Sequence, residues 1–210
     1  MKLAGRGVVR VVALVTAVTA LTAGCSFVRP SPVKQAFLLD PALPAAVATT
    51  HPGTARVGIV TVAAPFRGKP FVFREAELKY ESDFYAEFLV QPSSIVGDAT
   101  ARALINANVF AAVSPPGIAA EADWVVDCFV GALYGDTRNA AASIAVLEMT
   151  FYLTRANVVN GAPAWSKKYV RKITAKANTA DAYVAAQNIA FGEILAELVR
   201  DLAQLALARG

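Results

Sequence analysis

One side chain in this sequence sits among neighbours that suit a covalent reaction: the thiol of Cys25. A thiol can take a diacylglyceryl group as a thioether. The small pair Ala23-Gly24 before it would let a scissile bond approach a peptidase closely. The second cysteine, Cys128, lies in the apolar run Trp124-Val125-Val126-Asp127-Cys128-Phe129-Val130 and reads as a buried, inert thiol. If Cys25 is acylated, no disulfide within the chain can form. His51 is the single histidine and stands in a Pro/Gly-rich loop, which excludes a His-rich metal site and makes a Ser-His-Asp triad depend on that residue. No Cys/His set has zinc spacing, so no metal is expected. Gly68-Lys69-Pro70 lacks the upstream glycine and the following Ser/Thr of a phosphate loop, and no Rossmann glycine set follows a strand, so no cofactor is implied. Five carboxylates gather at Glu75, Glu77, Glu81, Asp83 and Glu87; a glycosidase-like pair could be drawn from them, while strand alternation would put many on a solvated face. Lys167, Lys168, Arg171 and Lys172 form the one basic cluster, suited to anionic lipid headgroups or an acidic partner, or to a solvated strand face that blocks edge pairing.

The surroundings of Cys25 match a secretory leader. Lys2, Arg6 and Arg10 give a basic start, and the stretch 11–21 is apolar apart from Thr16 and Thr19, well short of the roughly 20 residues that cross a bilayer as a helix. Leu21-Thr22-Ala23-Gly24-Cys25 resembles a bacterial lipobox, with Thr22 where a leucine is usual. The expectation is a lipoprotein signal peptide over 1–24, cleavage between Gly24 and Cys25, a lipidated tether over 25–34 and one domain over 35–210. Ser26, where an aspartate would favour retention at the inner membrane, points to the outer membrane, facing the periplasm. Two or three acyl chains, at roughly 0.8 kcal/mol per buried CH₂, would hold such a chain firmly. Three of the positives behind the net charge of +4 lie in the leader, so the basic pI of 9.2 is no nucleic-acid footprint.

The elements that must position these residues follow from periodicity. Strands are predicted over 35–40 and 56–63, separated by a Pro/Ala/Thr-rich loop over 41–55. The segment 71–89 is dense in aromatics (Phe71, Phe73, Tyr80, Phe84, Tyr85, Phe88) and reads as a hairpin of extended pieces near 74–80 and 84–89. Aromatics in this number suit a partner interface as well as a core. Pro92 opens a helix ending near Asn108, followed by a short strand over 109–113. Long strands over 122–134 and 143–155 and a third over 164–174, after the Asn160-Gly161 turn signal, form a meander. In the middle one Ala145, Leu147, Met149, Phe151 and Leu153 share a wholly apolar face that should meet the core. Thr179 can cap a final amphipathic helix over 180–207. The class is α+β, in mixed α/β layers: a mixed sheet with an antiparallel meander packed against two main helices.

Taken in order, these blocks resemble the ABC-type transport auxiliary lipoproteins, which include the outer-membrane lipoprotein of the paraquat-inducible complex. The resemblance rests on Ala36-Phe37-Leu38-Leu39-Asp40-Pro41 after a lipobox, the strand 57–62, Phe73-Arg74 through Tyr80, Phe84-Tyr85-Ala86-Glu87-Phe88-Leu89-Val90-Gln91-Pro92, Asn108-Val109-Phe110-Ala111-Ala112-Val113 and Ala122-Asp123-Trp124-Val125-Val126. Where the family has a tryptophan before its proline, this chain has Phe88 or Leu89. The resemblance implies an accessory protein and not an enzyme. Its partners would be an MCE-domain protein and an ABC permease with its ATPase, moving lipid or another hydrophobic solute, and the chain would be a homo-oligomer. The residues alone leave an alternative open, an envelope hydrolase or sugar-binding lipoprotein that uses the carboxylates from Glu75 to Glu87.

Overall fold

The structure is a computed structural model and describes residues 33–48, 50–118, 120–139, 141–158 and 162–207. Gly24, Cys25 and the Asn160-Gly161 turn lie outside the described residues. All the elements belong to the unit that begins at Lys34.

Eight strands form one mixed sheet: β1 (Gln35–Phe37), β2 (His51–Val62), β3 (Pro70–Arg74), β4 (Tyr80–Phe88), β5 (Phe110–Ser114), β6 (Trp124–Asp136), β7 (Ile144–Arg155) and β8 (Trp165–Thr174). Two helices, α1 (Pro92–Asn106) and α2 (Ala180–Ala203), pack against it and against each other. The expected α+β class and the antiparallel β6–β7–β8 meander are present. β6 is the axis. One edge pairs with β7 along its whole length. The other edge is shared end to end by two parallel strands, β2 from Trp124 to Val130 and β3 at Gly135 and Asp136. A single 3-10 turn at Ala64–Phe66 carries the chain between them. β5 extends the sheet beyond β2, and β4 and then β1 extend it beyond β3.

The core lies between the helices and the inward face of the sheet. Ala145, Leu147, Met149, Phe151 and Leu153 of β7 are all buried, as the alternation predicts. They meet α2, whose Ala190, Phe191, Ile194, Leu195, Leu198 and Leu202 are fully buried. Each large side chain so buried contributes roughly 1.5–3 kcal/mol. Thr179 caps α2, its hydroxyl accepting the N–H of Ala182 at 3.3 Å. Cys128 is a buried free thiol, and burial pushes its pKa up, in keeping with an inert core residue. The opposite sheet face is open: Ile59, Phe129 and Val170 are exposed on it.

Two expectations need correction. The first strand stops at Phe37 instead of running to Asp40. The second begins at His51, inside what reads as a loop. His51 is buried, its N–H donates to Val109 O at 2.9 Å, and its ring donates from Nε2 to Leu202 O at 2.8 Å. The Leu202 carbonyl, in the last turn of α2, also accepts the Leu205 N–H at 3.1 Å, and the imidazole adds a second donor to it. The one histidine is thus a structural donor, fixed by a contact 151 residues away in sequence.

Candidate functional site

The sequence predicts a hairpin of pieces near 74–80 and 84–89; β3 and β4 do pair antiparallel, but the first piece is shifted to Pro70–Arg74, and residues 75–79 form the turn, closed by the Glu75 N–H on Lys79 O at 3.0 Å. The pairing is interrupted. Val72 faces Ser82 and Pro70 faces Glu87, so β4 takes five steps where β3 takes two. The three surplus residues make a bulge at residues 83–85. Asp83 pins it: Oδ1 accepts the N–H of Tyr85 at 2.7 Å and of Ala86 at 3.0 Å. Ala86 and Phe88 then return to the core. Held in this way, Phe84 is 78% exposed and Tyr85 47%, with ring centroids 5.1 Å apart and planes at 83°.

The six aromatics therefore divide. Phe71 and Phe88 are core residues 4.7 Å apart, and Phe71 and Phe73 both pack on the Tyr183 ring of α2, at 5.1 and 5.2 Å. Tyr80 lies against Phe66 and Tyr134. Phe84 and Tyr85 support no core. Between the bulge and the start of α2 is a cleft of about 440 Å³, lined among others by Phe73, Phe84, Tyr85, Ser143 and Asn178. A second concavity, about 620 Å³, lies along α1 between Leu38, Val90, Ile95 and Ile105, crossed by an Arg102–Asp40 ion pair at 2.9 Å.

The carboxylates do not assemble as an acid–base pair. Lys79 bridges Glu75 and Glu81, at 2.7 Å from each. Glu87 pairs with Lys34 at 2.7 Å and with Lys69 at 3.6 Å. The Lys79 ammonium holds Glu81 below the usual carboxylate range, and Lys34 does the same for Glu87. A glycosidase acid needs the opposite shift. Among the described residues no group of three or more His, Cys, Asp or Glu could hold a metal ion.

The basic cluster is not one patch. Lys167 and Arg171 alternate with Lys168 and Lys172 along β8, so the two pairs point to opposite faces. Lys167 meets Glu197 at 3.0 Å and Asp201 at 2.7 Å on α2. Arg171 meets Glu193 at 3.0 Å and also Glu197. The Tyr169 hydroxyl donates to Asp201 at 2.6 Å. On the open face Lys168 pairs with Glu148 at 2.6 Å, and Lys172 has no partner among the described residues. Lys167 and Arg171 therefore bind α2 to the sheet and are not available to a membrane surface. Sequence reasoning missed Glu193, Glu197 and Asp201. Their spacing of four on one helix face, opposite cations four apart on a strand face, was the available signal.

This network makes acid lability an expected result. Hydrogen bonds from Lys167 and then Arg171 lower the Glu197 pKa below its ordinary 4.5. Its contribution is present above that value and is lost as pH falls through the lower, folded value. Urea unfolding midpoints should drop below about pH 4, and Glu197→Gln should be less stable at neutral pH with a shallower acid decline. An unchanged decline in E197Q would show that the network does not couple to folding.

No family model and no curated protein matches this sequence. Solved structures do. A protein from Xanthomonas campestris of the family DUF330 is 16% identical, with a TM-score of 0.70 over 79% of this chain and 92% of that one. An uncharacterised protein is 11% identical, with a TM-score of 0.60 over 81% and 99%. A PelC dodecamer from Paraburkholderia phytofirmans overlaps more loosely, at 14% identity and a TM-score of 0.39. At these identities the first two likenesses show that the fold is shared, and the third is too loose to argue from.

Proposed function

We propose that this chain is a lipid-anchored accessory lipoprotein of an MCE-type ABC transport system, held at the outer membrane through Cys25 and docking the envelope-spanning MCE-domain partner. In this role it performs no catalysis and works as a homo-oligomer. The observation that carries the docking reading is the bulge. A mostly exposed phenylalanine beside a half-exposed tyrosine, on a backbone pinned by Asp83, is a costly way to fill a surface unless a partner covers it. The order of elements that underlies the family resemblance supports the choice of system. The lowered pKa values of Glu81 and Glu87 argue against the hydrolase alternative.

The test is photocrosslinking in intact envelopes with a benzophenone side chain in place of Phe84. An adduct with the MCE-domain protein is expected. The double variant Phe84→Ala/Tyr85→Ala should reduce recovery of that protein at least tenfold while leaving the melting temperature unchanged, as expected for surface anchors. Adducts at Lys172 on the open sheet face in place of Phe84 would refute the docking surface. A processed chain whose Cys25 sulfur carries no diacylglyceryl in mass spectra would refute the anchor.

A further inference from the structure

We infer that the cleft beside the bulge receives an arginine side chain of a partner protein, carried in a segment whose neighbouring residues are apolar. The inference rests on the docking reading above and specifies the chemistry of what docks.

Two observations select the chemistry. The first is the corner made by the rings. Phe84 and Tyr85 stand nearly perpendicular, and both line the cleft with Phe73 at its side. A planar cation can stack on one ring face while its edge reaches past the other. The second is charge. Glu75, Glu81 and Asp83 line the same cleft, and one cation, Lys79, is paired with two of them. Asp83 uses only Oδ1 to pin the bulge; its Oδ2 has no partner among the described residues. The cleft thus offers an aromatic face and an open carboxylate oxygen side by side.

An anionic headgroup is disfavoured by three carboxylates. A wholly apolar side chain would leave Asp83 Oδ2 facing low dielectric without a partner. Lysine satisfies the charge, yet its compact ammonium cannot stack and donate sideways at once. The guanidinium does both, which selects arginine. Apolar neighbours on the same segment would cover the exposed part of Phe84.

The probe is the peptide Gly-Ser-Val-Arg-Val-Ser-Gly, with counterparts carrying lysine or glutamate at the centre. Each is titrated into the full-length protein in non-ionic micelles and followed by amide chemical shifts. The arginine peptide should perturb residues 81–85 and bind at least tenfold more tightly than the lysine peptide, with no binding of the glutamate peptide. Phe84→Ala should weaken it about tenfold, the loss of a stacked cation. Asp83→Asn keeps an oxygen to accept the two N–H groups and so keeps the bulge, yet should weaken arginine binding by removing the charge. Equal affinity for lysine, or binding unaltered in Phe84→Ala, would overturn the inference. If arginine preference fails while Phe84→Ala/Tyr85→Ala still loses the MCE-domain protein, the docking reading stands and the arginine assignment falls. If the peptide behaves as expected and the envelope adduct does not form, the cleft chemistry stands and the choice of partner falls.

Discussion

Phe71→Ala is expected to lower unfolding stability by about 3–5 kcal/mol, measured by urea denaturation of the purified chain. Phe71 is 0% exposed and is the hub of an aromatic cluster, 5.4 Å from Phe37, 4.7 Å from Phe88 and 5.1 Å from Tyr183. Removing its ring leaves a void among side chains contributed by β1, β4 and α2. Backbone hydrogen bonds also tie the end of β4 to β1 and to the start of β3: Leu89 N–H donates to Phe37 O at 2.7 Å, and Phe88 N–H to Lys69 O at 2.7 Å. The walls cannot close over the gap without breaking them. Against a total of about 5–15 kcal/mol for an ordinary domain, the loss is large. A measured cost below about 1 kcal/mol would mean that the cluster relaxes freely, contrary to this packing. Phe84→Ala, thirteen positions along the same segment, should change stability by no more than about 0.5 kcal/mol, so the two phenylalanines report opposite roles.

Gly135→Ala should cost about 1–3 kcal/mol, because it overpacks the junction of β3 and β6. A methyl at Gly135 would stand 2.5 and 2.6 Å from two Phe73 ring carbons, with Tyr183 3.3 Å away behind them. The Phe73 ring cannot retreat toward Tyr183, with which it is already in contact at 5.2 Å between centroids. It must turn outward, into the cleft that it lines. The variant is therefore expected to lose stability and to alter the amide shifts of residues 81–85 together. Loss of stability with those shifts unchanged would show that Phe73 moves elsewhere.

The parts of this fold legible in the sequence are those dictated by local period. The apolar face of β7, the cap at Thr179 and the helix opened by Pro92 each follow from spacing within a few residues. What was not legible depends on partners far away in the chain. His51 reads as a loop residue because nothing near it reveals that its ring reaches the Leu202 carbonyl, 151 residues away. Lys167 and Arg171 read as surface cations until Glu193, Glu197 and Asp201 face them. At the candidate site, the density of aromatics was visible, and their division was not. Plain alternation puts Phe84 and Phe88 on one face, yet the bulge places one in solvent and the other in the core. The signal for it was Asp83, a residue able to cap its own bulge, which reads as one of five similar carboxylates.

The sharing of one β6 edge by β2 and β3 also sets a timetable for the newborn chain. Ile59 of β2 contacts Asp127 of β6 across 68 residues. An exported chain that emerges N-terminus first therefore presents an early β-branched segment well before its partner arrives. During that interval its backbone has nothing native to join, and a periplasmic holdase would find its client there rather than in the later meander, whose strands follow one another closely.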